Sequence, residues 1–315
     1  MTNSEKKSLA RLRRQIDDID DKIHDLLMQR TEVAGKIGAL KGRGSGHMRP
    51  GREATVLRRL IARHHGGLPR ALIVRIWREI FSASIALQGP LAVAVYAPEG
   101  TFGYRNLARD HFGWRTPMTA FRSAAQVLAA VSDGKASVGV LPVPHGDETA
   151  PWWRNLARDG DEVPRIIARL PFAVVEAPSG GGPEALAIGL AAPEQTDRDC
   201  SYLTIETGEV ISRSQLKESL TAAGLGALDI HVCDDGGQSL CLIEVEGFVA
   251  ADDPRLVTLL EASEGRLARA LAVGGFALPL SREDMAPGDR APRELAPREL
   301  APRESAGGAD SGADR

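Results

Sequence analysis

Three cysteines in 315 residues, Cys200, Cys233 and Cys241, are too few and too scattered for a redox or metal framework. They form no Cys-x-x-Cys pair, and an odd count leaves no closed disulfide set, so they read as incidental thiols in a reducing compartment. Aromatic residues make up 4% of the chain, which is sparse for platforms that stack nucleic-acid bases. Neither sign of charge dominates. The formal net charge is −3, so there is no general attraction to nucleic acid or to an anionic membrane. No apolar run is long enough to span a bilayer, and the first residues are polar and charged, unlike an apolar leader. These absences predict a cytoplasmic protein without nucleic-acid or membrane partners, and nothing in the composition calls for a metal or cofactor.

What is present begins with one long stripe. Leu9, Leu12, Ile16, Ile19, Ile23, Leu26, Leu27, Val33, Ile37 and Leu40 follow in steps of mostly three and four, with no proline among them. That period predicts one helix from Ser8 to Lys41 with one apolar face, after a polar tail at residues 1–7. Gly42, Gly44 and Gly46 end it. A second helix is expected from Pro50 to His65, with proline suited to the first turn, and a third from Pro69 to the Gly89-Pro90 break. From Leu91 the period changes. Strands at 91–96 and 137–143 alternate with helices at 104–112 and 124–133, which suggests a small parallel α/β unit. Two further strands are expected at 166–176 and 185–191. A β-α-β-β-α-β order follows from Ser201, with a hairpin around Asp234-Asp235-Gly236-Gly237, and it predicts a ferredoxin-like unit. The Ala-Pro-Arg-Glu-Leu repeat near the end has no apolar face and reads as a disordered tail.

The chemistry-bearing candidates are cations on the first helix. Arg30 and Lys41 are eleven residues apart, about three turns and roughly 16 Å along the axis, so they share a side and could clamp one small dianion. Arg13 lies seventeen residues before Arg30, roughly 25 Å away, too far to serve the same ligand. In a two-fold antiparallel dimer it would serve the partner's site. Taken singly, each cation is also what any solvated helix face carries. They come together with Arg52-Glu53 at the opening of the second helix, and with Ser84 and Gln88 one turn apart near the end of the third.

Residues 9–88 resemble the all-helical chorismate mutase domain found alone or fused to prephenate dehydratase or dehydrogenase. The resemblance rests on Leu12-Arg13-Arg14-Gln15-Ile16-Asp17, Gln29-Arg30-Thr31-Glu32-Val33-Ala34, Ala39-Leu40-Lys41, Arg52-Glu53 and Ser82-Ala83-Ser84-Ile85-Ala86-Leu87-Gln88. It implies chorismate as substrate and an intertwined homodimer. Arg13 of the partner chain and Arg30 would hold the two carboxylates. Lys41 would contact a carboxylate and the ether oxygen, and Gln88 would donate to that oxygen. Glu53 would accept from the ring hydroxyl, with Arg52 and Ser84 lining the site. Arg30, Lys41 and Gln88 are the catalytic candidates. Many family members carry an acid three residues before the Arg-Glu pair; here Arg49 stands there, which suggests a more basic pocket resting on Glu53. The rearrangement of chorismate to prephenate is pericyclic. It needs the dianion held in a reactive conformer and positive donors at the ether oxygen, with no nucleophile, proton shuttle, metal or cofactor.

The extension resembles a reduced prephenate dehydratase followed by that enzyme's regulatory ACT domain. Val95-Tyr96-Ala97-Pro98-Glu99-Gly100-Thr101-Phe102 and Gly139-Val140-Leu141-Pro142-Val143 carry the first part. The departures are larger than the match: Val143-Pro144-His145-Gly146 replaces an Ile-Glu-Asn-Ser type segment, and Cys200-Ser201-Tyr202 stands where a Thr-Arg-Phe signature belongs. The expected organisation is multidomain: a three-helix all-α mutase domain at 8–88, a reduced α/β region at 91–198, an ACT-like ferredoxin-like domain at 199–281 and a disordered tail at 282–315. The expected activity is chorismate mutase without dehydratase. A bifunctional enzyme, and a non-catalytic dimeric partner- or effector-binding protein, stand as alternatives.

Overall fold

The computed structural model describes residues 2–41, 48–98, 102–145, 151–173, 182–208, 211–235 and 238–286. The expected glycine break after Lys41, the turns centred on Gly100 and on Gly236-Gly237, and the repeat tail from 287 lie outside the described residues, as does the Lys41 side chain.

Helix α1 (Asn3–Lys41) starts inside the stretch read as a polar tail. Thr2 and Glu5 explain why. The Thr2 N–H donates to Glu5 Oε2 over 2.7 Å and the Glu5 N–H donates to Thr2 Oγ1 over 3.3 Å, a reciprocal cap that satisfies two free donors at once. Every residue from 2 to 26 is exposed, including Ile16 at 56% and Leu26 at 63%. Only the last third of α1 touches the body of the molecule, where Ala34 and Gly38 are buried. A Cβ at Gly38 would fall 2.6 Å from Cγ of Gln88, so glycine there lets α1 close onto the third helix.

Helix α2 (Pro50–Arg63) buries Gly51, Ala54, Leu57 and Ile61, and α3 (Arg70–Gln88) buries Val74, Arg78, Phe81, Ser82, Ser84 and Ile85. Each set repeats at three and four residues and marks one inward stripe. Gly89 caps α3 by returning its N–H to Ile85 O over 3.1 Å.

The remainder is one mixed sheet with flanking helices. Its elements in chain order are β1 (Val93–Tyr96), α4 (Gly103–Phe112), β2 (Met118–Phe121), α5 (Ala124–Ser132), β3 (Val138–Pro142), β4 (Arg165–Leu170), β5 (Ala185–Gly189), β6 (Asp199–Thr207), α6 (Arg213–Ala222), β7 (Ala227–Asp235), β8 (Gln238–Glu246), α7 (Pro254–Ala262), β9 (Leu267–Ala277) and α8 (Arg282–Met285). The strands order as β2-β1-β3-β5-β4-β9-β6-β8-β7. Strands β2, β1 and β3 run parallel, as the βαβ alternation predicts. The chain order β6-α6-β7-β8-α7-β9 carries the expected ferredoxin-like pattern, with β9, β6, β8 and β7 paired antiparallel.

Three features differ from the sequence reading. Strand β2 was not foreseen: it lies at the sheet edge with its two central residues exposed, so it carries little apolar signal. Helix α8 forms within the stretch expected to be disordered, held by the reciprocal Ser281–Asp284 cap. The two halves of the extension are also not separate sheets, because β4 pairs with β9 through Ile166 and Gly274. The helical unit joins the sheet through a common core, in which Ala54, Leu57, Ile61, Val74 and Phe81 pack with Phe172, Ala173, Ala277 and Leu280.

Candidate active site

The site grows from the inward face of α3, where it meets the buried end of α1. Arg30 reaches across from α1 and its Nη1 donates to Ser84 Oγ over 2.6 Å. Ser84 in turn donates to Ile80 O over 2.7 Å, a bond its short side chain makes readily to the turn before it. The Arg30 guanidinium sits 5.7 Å from the centroid of the Phe81 ring, within cation–π range. One turn beyond Ser84, Gln88 Nε2 donates to Ser84 O over 3.0 Å. The amide is therefore anchored to its own helix, beside the Gly38 contact.

Glu53, on the first turn of α2, faces the same region. Its Oε2 accepts from Arg78 Nη1 over 2.6 Å, with side-chain exposures of 13% and 4%. Burial pushes the Glu53 carboxyl above the usual carboxylate range, and the charges of Arg78 and then Arg30 pull it back. Burial lowers Arg30 in turn, and Glu53 opposes that shift. So Arg30, Glu53, Ser84 and Gln88 form one neighbourhood with two guanidinium groups acting on one carboxylate.

The other candidates stand apart. Arg13 lies on the exposed part of α1, and Arg52 is exposed on α2. Arg49, from which a more basic pocket was expected, is ion-paired with Glu194 of the α/β region. Sequence reading also passed over Arg78. A signal for it existed: Arg78 falls four residues after Val74 and three before Phe81, on an apolar stripe, and a cation there requires a buried partner.

Residues 12–89 match the family model for chorismate mutase type II. The helical unit is a chorismate mutase domain. Over 153 residues the chain is 34% identical to a bifunctional chorismate mutase/prephenate dehydratase of Pseudomonas aeruginosa, a match covering 47% of this chain and 42% of that protein. Over 136 residues it is 37% identical to the protein of the same description from Neisseria gonorrhoeae, covering 43% and 37%. The chain thus spans less than half the length of these curated relatives, and the matched spans run longer than the mutase domain itself. Among solved structures, a prephenate dehydratase from Arthrobacter aurescens in complex with L-Phe overlaps 64% of this chain and 94% of its own, at 14% identity and a TM-score of 0.46.

Beyond the mutase domain, the residues at the position of the expected dehydratase signature are built into the sheet. Cys200, Ser201 and Tyr202 are all fully buried. The Tyr202 hydroxyl donates to Glu244 Oε2 over 2.7 Å, and Arg169 pairs with both Glu244 and Glu184. Burial, then Glu244, pushes the Cys200 thiol up to about 12, which leaves it protonated and inert near neutrality. Among the described residues no helix is long and apolar enough to cross a membrane, and no group of three or more His, Cys, Asp or Glu is placed to hold a metal.

Proposed function

We propose that this chain is a dimeric chorismate mutase, with Arg30, Lys41 and Gln88 as catalytic residues and Arg13 of the partner, Arg52, Glu53 and Ser84 completing the substrate site. The observation that carries the reading is the gathering of Arg30, Glu53, Ser84 and Gln88 at one place in a domain of that family. A guanidinium fork already held by Ser84 is pre-set for a carboxylate, so little ordering remains when substrate binds. Gln88 needs only to leave the Ser84 carbonyl to donate to an ether oxygen, and an amide does so at any pH. Lys41, three turns along α1, would close the other end. The dimer is supported by the bare apolar stripe of α1, a surface that isolated chains rarely present. Loss of chorismate absorbance on adding the purified protein tests the reading, and full activity in Arg30→Ala would sink it.

A second reading, a bifunctional mutase and dehydratase, is favoured by the matches that extend past the mutase domain. Against it stand Val143-Pro144-His145-Gly146 and the Arg169–Glu244–Tyr202 cluster, in which the carboxylate of Glu244 is already engaged by both neighbours. We read the region after residue 90 as a non-catalytic α/β extension ending in an ACT-like unit. Formation of phenylpyruvate from prephenate would reverse that choice.

A further inference from the structure

The contact between the mutase domain and the sheet is not confined to apolar packing. Arg78 is the charged residue at its centre. Its guanidinium donates to Glu53 on one side and lies 5.1 Å from the centroid of the Phe172 ring on the other. Phe172 follows β4 and is itself fixed, since its carbonyl accepts from the Leu280 N–H over 2.7 Å. A small cavity lined by Arg78, His111, Arg169 and Phe172 lies beside this contact. The cations around Glu53 thus come from two sources: Arg30 from α1, and Arg78 from α3, which also rests against Phe172 of the α/β extension.

We propose that Arg78 is a positioning residue for the mutase reaction, holding the Glu53 carboxylate ionised and aimed at the substrate, and that Phe172 makes this hold depend on the α/β extension. The proposal rests on the mutase reading given above and deepens it. Glu53 is nearly buried, so its carboxylate survives only with a partner. Arg30 cannot be that partner during turnover, because a carboxylate of the substrate claims it. Arg78 touches no reacting atom in this scheme and acts only through Glu53. Through it, the extension reaches the site without supplying a residue to it.

The test uses the full chain in wild-type form and as Arg78→Gln, Phe172→Leu, Glu53→Gln and Arg78→Gln/Glu53→Gln, each checked for a cooperative melt. Chorismate turnover is followed against pH, and the Glu53 carboxyl is titrated by carbon-13 NMR without substrate. Arg78→Gln should lower kcat/KM about tenfold to a hundredfold and move the acidic limb and the Glu53 titration to higher pH. Phe172→Leu should shift both the same way by less. The double variant should lose no more than Glu53→Gln alone, as expected for residues that act as one unit. An unmoved Glu53 titration in Arg78→Gln, or losses that simply add, would overturn the proposal while leaving the mutase reading intact. A Phe172→Leu protein that titrates and turns over like wild type would overturn the dependence on the extension. Absence of turnover in wild type would instead remove the mutase reading, and the proposal with it.

Discussion

Arg30 and Ser84, fifty-four positions apart in sequence, are joined by a 2.6 Å hydrogen bond from guanidinium to hydroxyl. The bond aims a long, flexible cation that would otherwise sample many rotamers. Hydrogen bonds to charged groups contribute about 1.5–3 kcal/mol, so Ser84→Ala should lower kcat/KM about tenfold or more. The loss should fall mainly on KM, because the carboxylate that Arg30 would hold in the proposed site is present in ground and transition state alike. Steady-state kinetics on chorismate decide this, and unchanged KM would show that Arg30 needs no guide.

The bare stripe of α1 predicts the assembly. Leu12→Asp with Ile16→Asp should convert a dimer into a monomer in light-scattering measurements, and activity should disappear with it. A sharper experiment mixes two inactive proteins, Arg13→Ala and Arg30→Ala, after unfolding and refolding together. If each site takes Arg13 from one chain and Arg30 from the other, mixed dimers contain one intact site, and about a quarter of wild-type activity should return. No recovery would place both arginines in one chain's site or outside it.

His111 gives a pH signature of stability. It is 8% exposed, lies edge-on to Phe112 with ring centroids 4.7 Å apart, and is held well below its ordinary value of 6.5 by burial and then by the Arg78 charge. The unfolded chain therefore takes up this proton more readily than the folded one. The contribution to stability is fully present above pH 6.5 and is lost as pH falls toward the depressed folded value, at up to about 1.4 kcal/mol per pH unit. Urea unfolding at several pH values should show a shallower acid loss in His111→Gln than in wild type.

Arg58 ties α2 to the far end of the chain. Its side chain donates to Thr196 Oγ1, to Arg198 O over 2.8 Å and to Leu278 O over 2.7 Å. Arg58→Ala removes these donors at once; Arg198 O keeps the Leu278 N–H and Thr196 Oγ1 keeps Asp199, so the cost is chiefly that of Leu278 O, about 1–3 kcal/mol. Thermal melts measure it. A variant as stable as wild type would show that water replaces the guanidinium at no cost.

How much of this could be read in advance depended on whether the information was local. The three helices and the ferredoxin-like order were legible, because each rests on a period of three to four or of two and on Gly and Pro at the breaks. Arg30 with Ser84 and Gln88 was legible through resemblance to a family, since spacing alone cannot say that two helices meet. The start of α1 is written in Thr2-x-x-Glu5, a capping pair that lies outside the apolar period. Strand β2 was hidden by its exposed edge position. Arg49 and Glu194 are 145 positions apart, and β4 meets β9 through a single paired position; no local pattern reports such partners. Arg78 is readable as an anomaly, a cation on an apolar stripe, but its partner Glu53 lies on another helix, 25 positions away.

The shared core also sets an order for synthesis. The inward face of α2 is completed by Ala277 and Leu280, and Arg70 on α3 donates to the carbonyl of Asp284, 214 positions downstream. A ribosome delivers the helices early, but the surface that α2 closes on emerges only after β9. Contacts of such separation form late, because the intervening chain must first be gathered. Until then Leu57 and Ile61 have their α3 neighbours Val74 and Phe81 but lack the packing that Ala277 and Leu280 supply, and apolar surface left open in this way favours association between nascent chains.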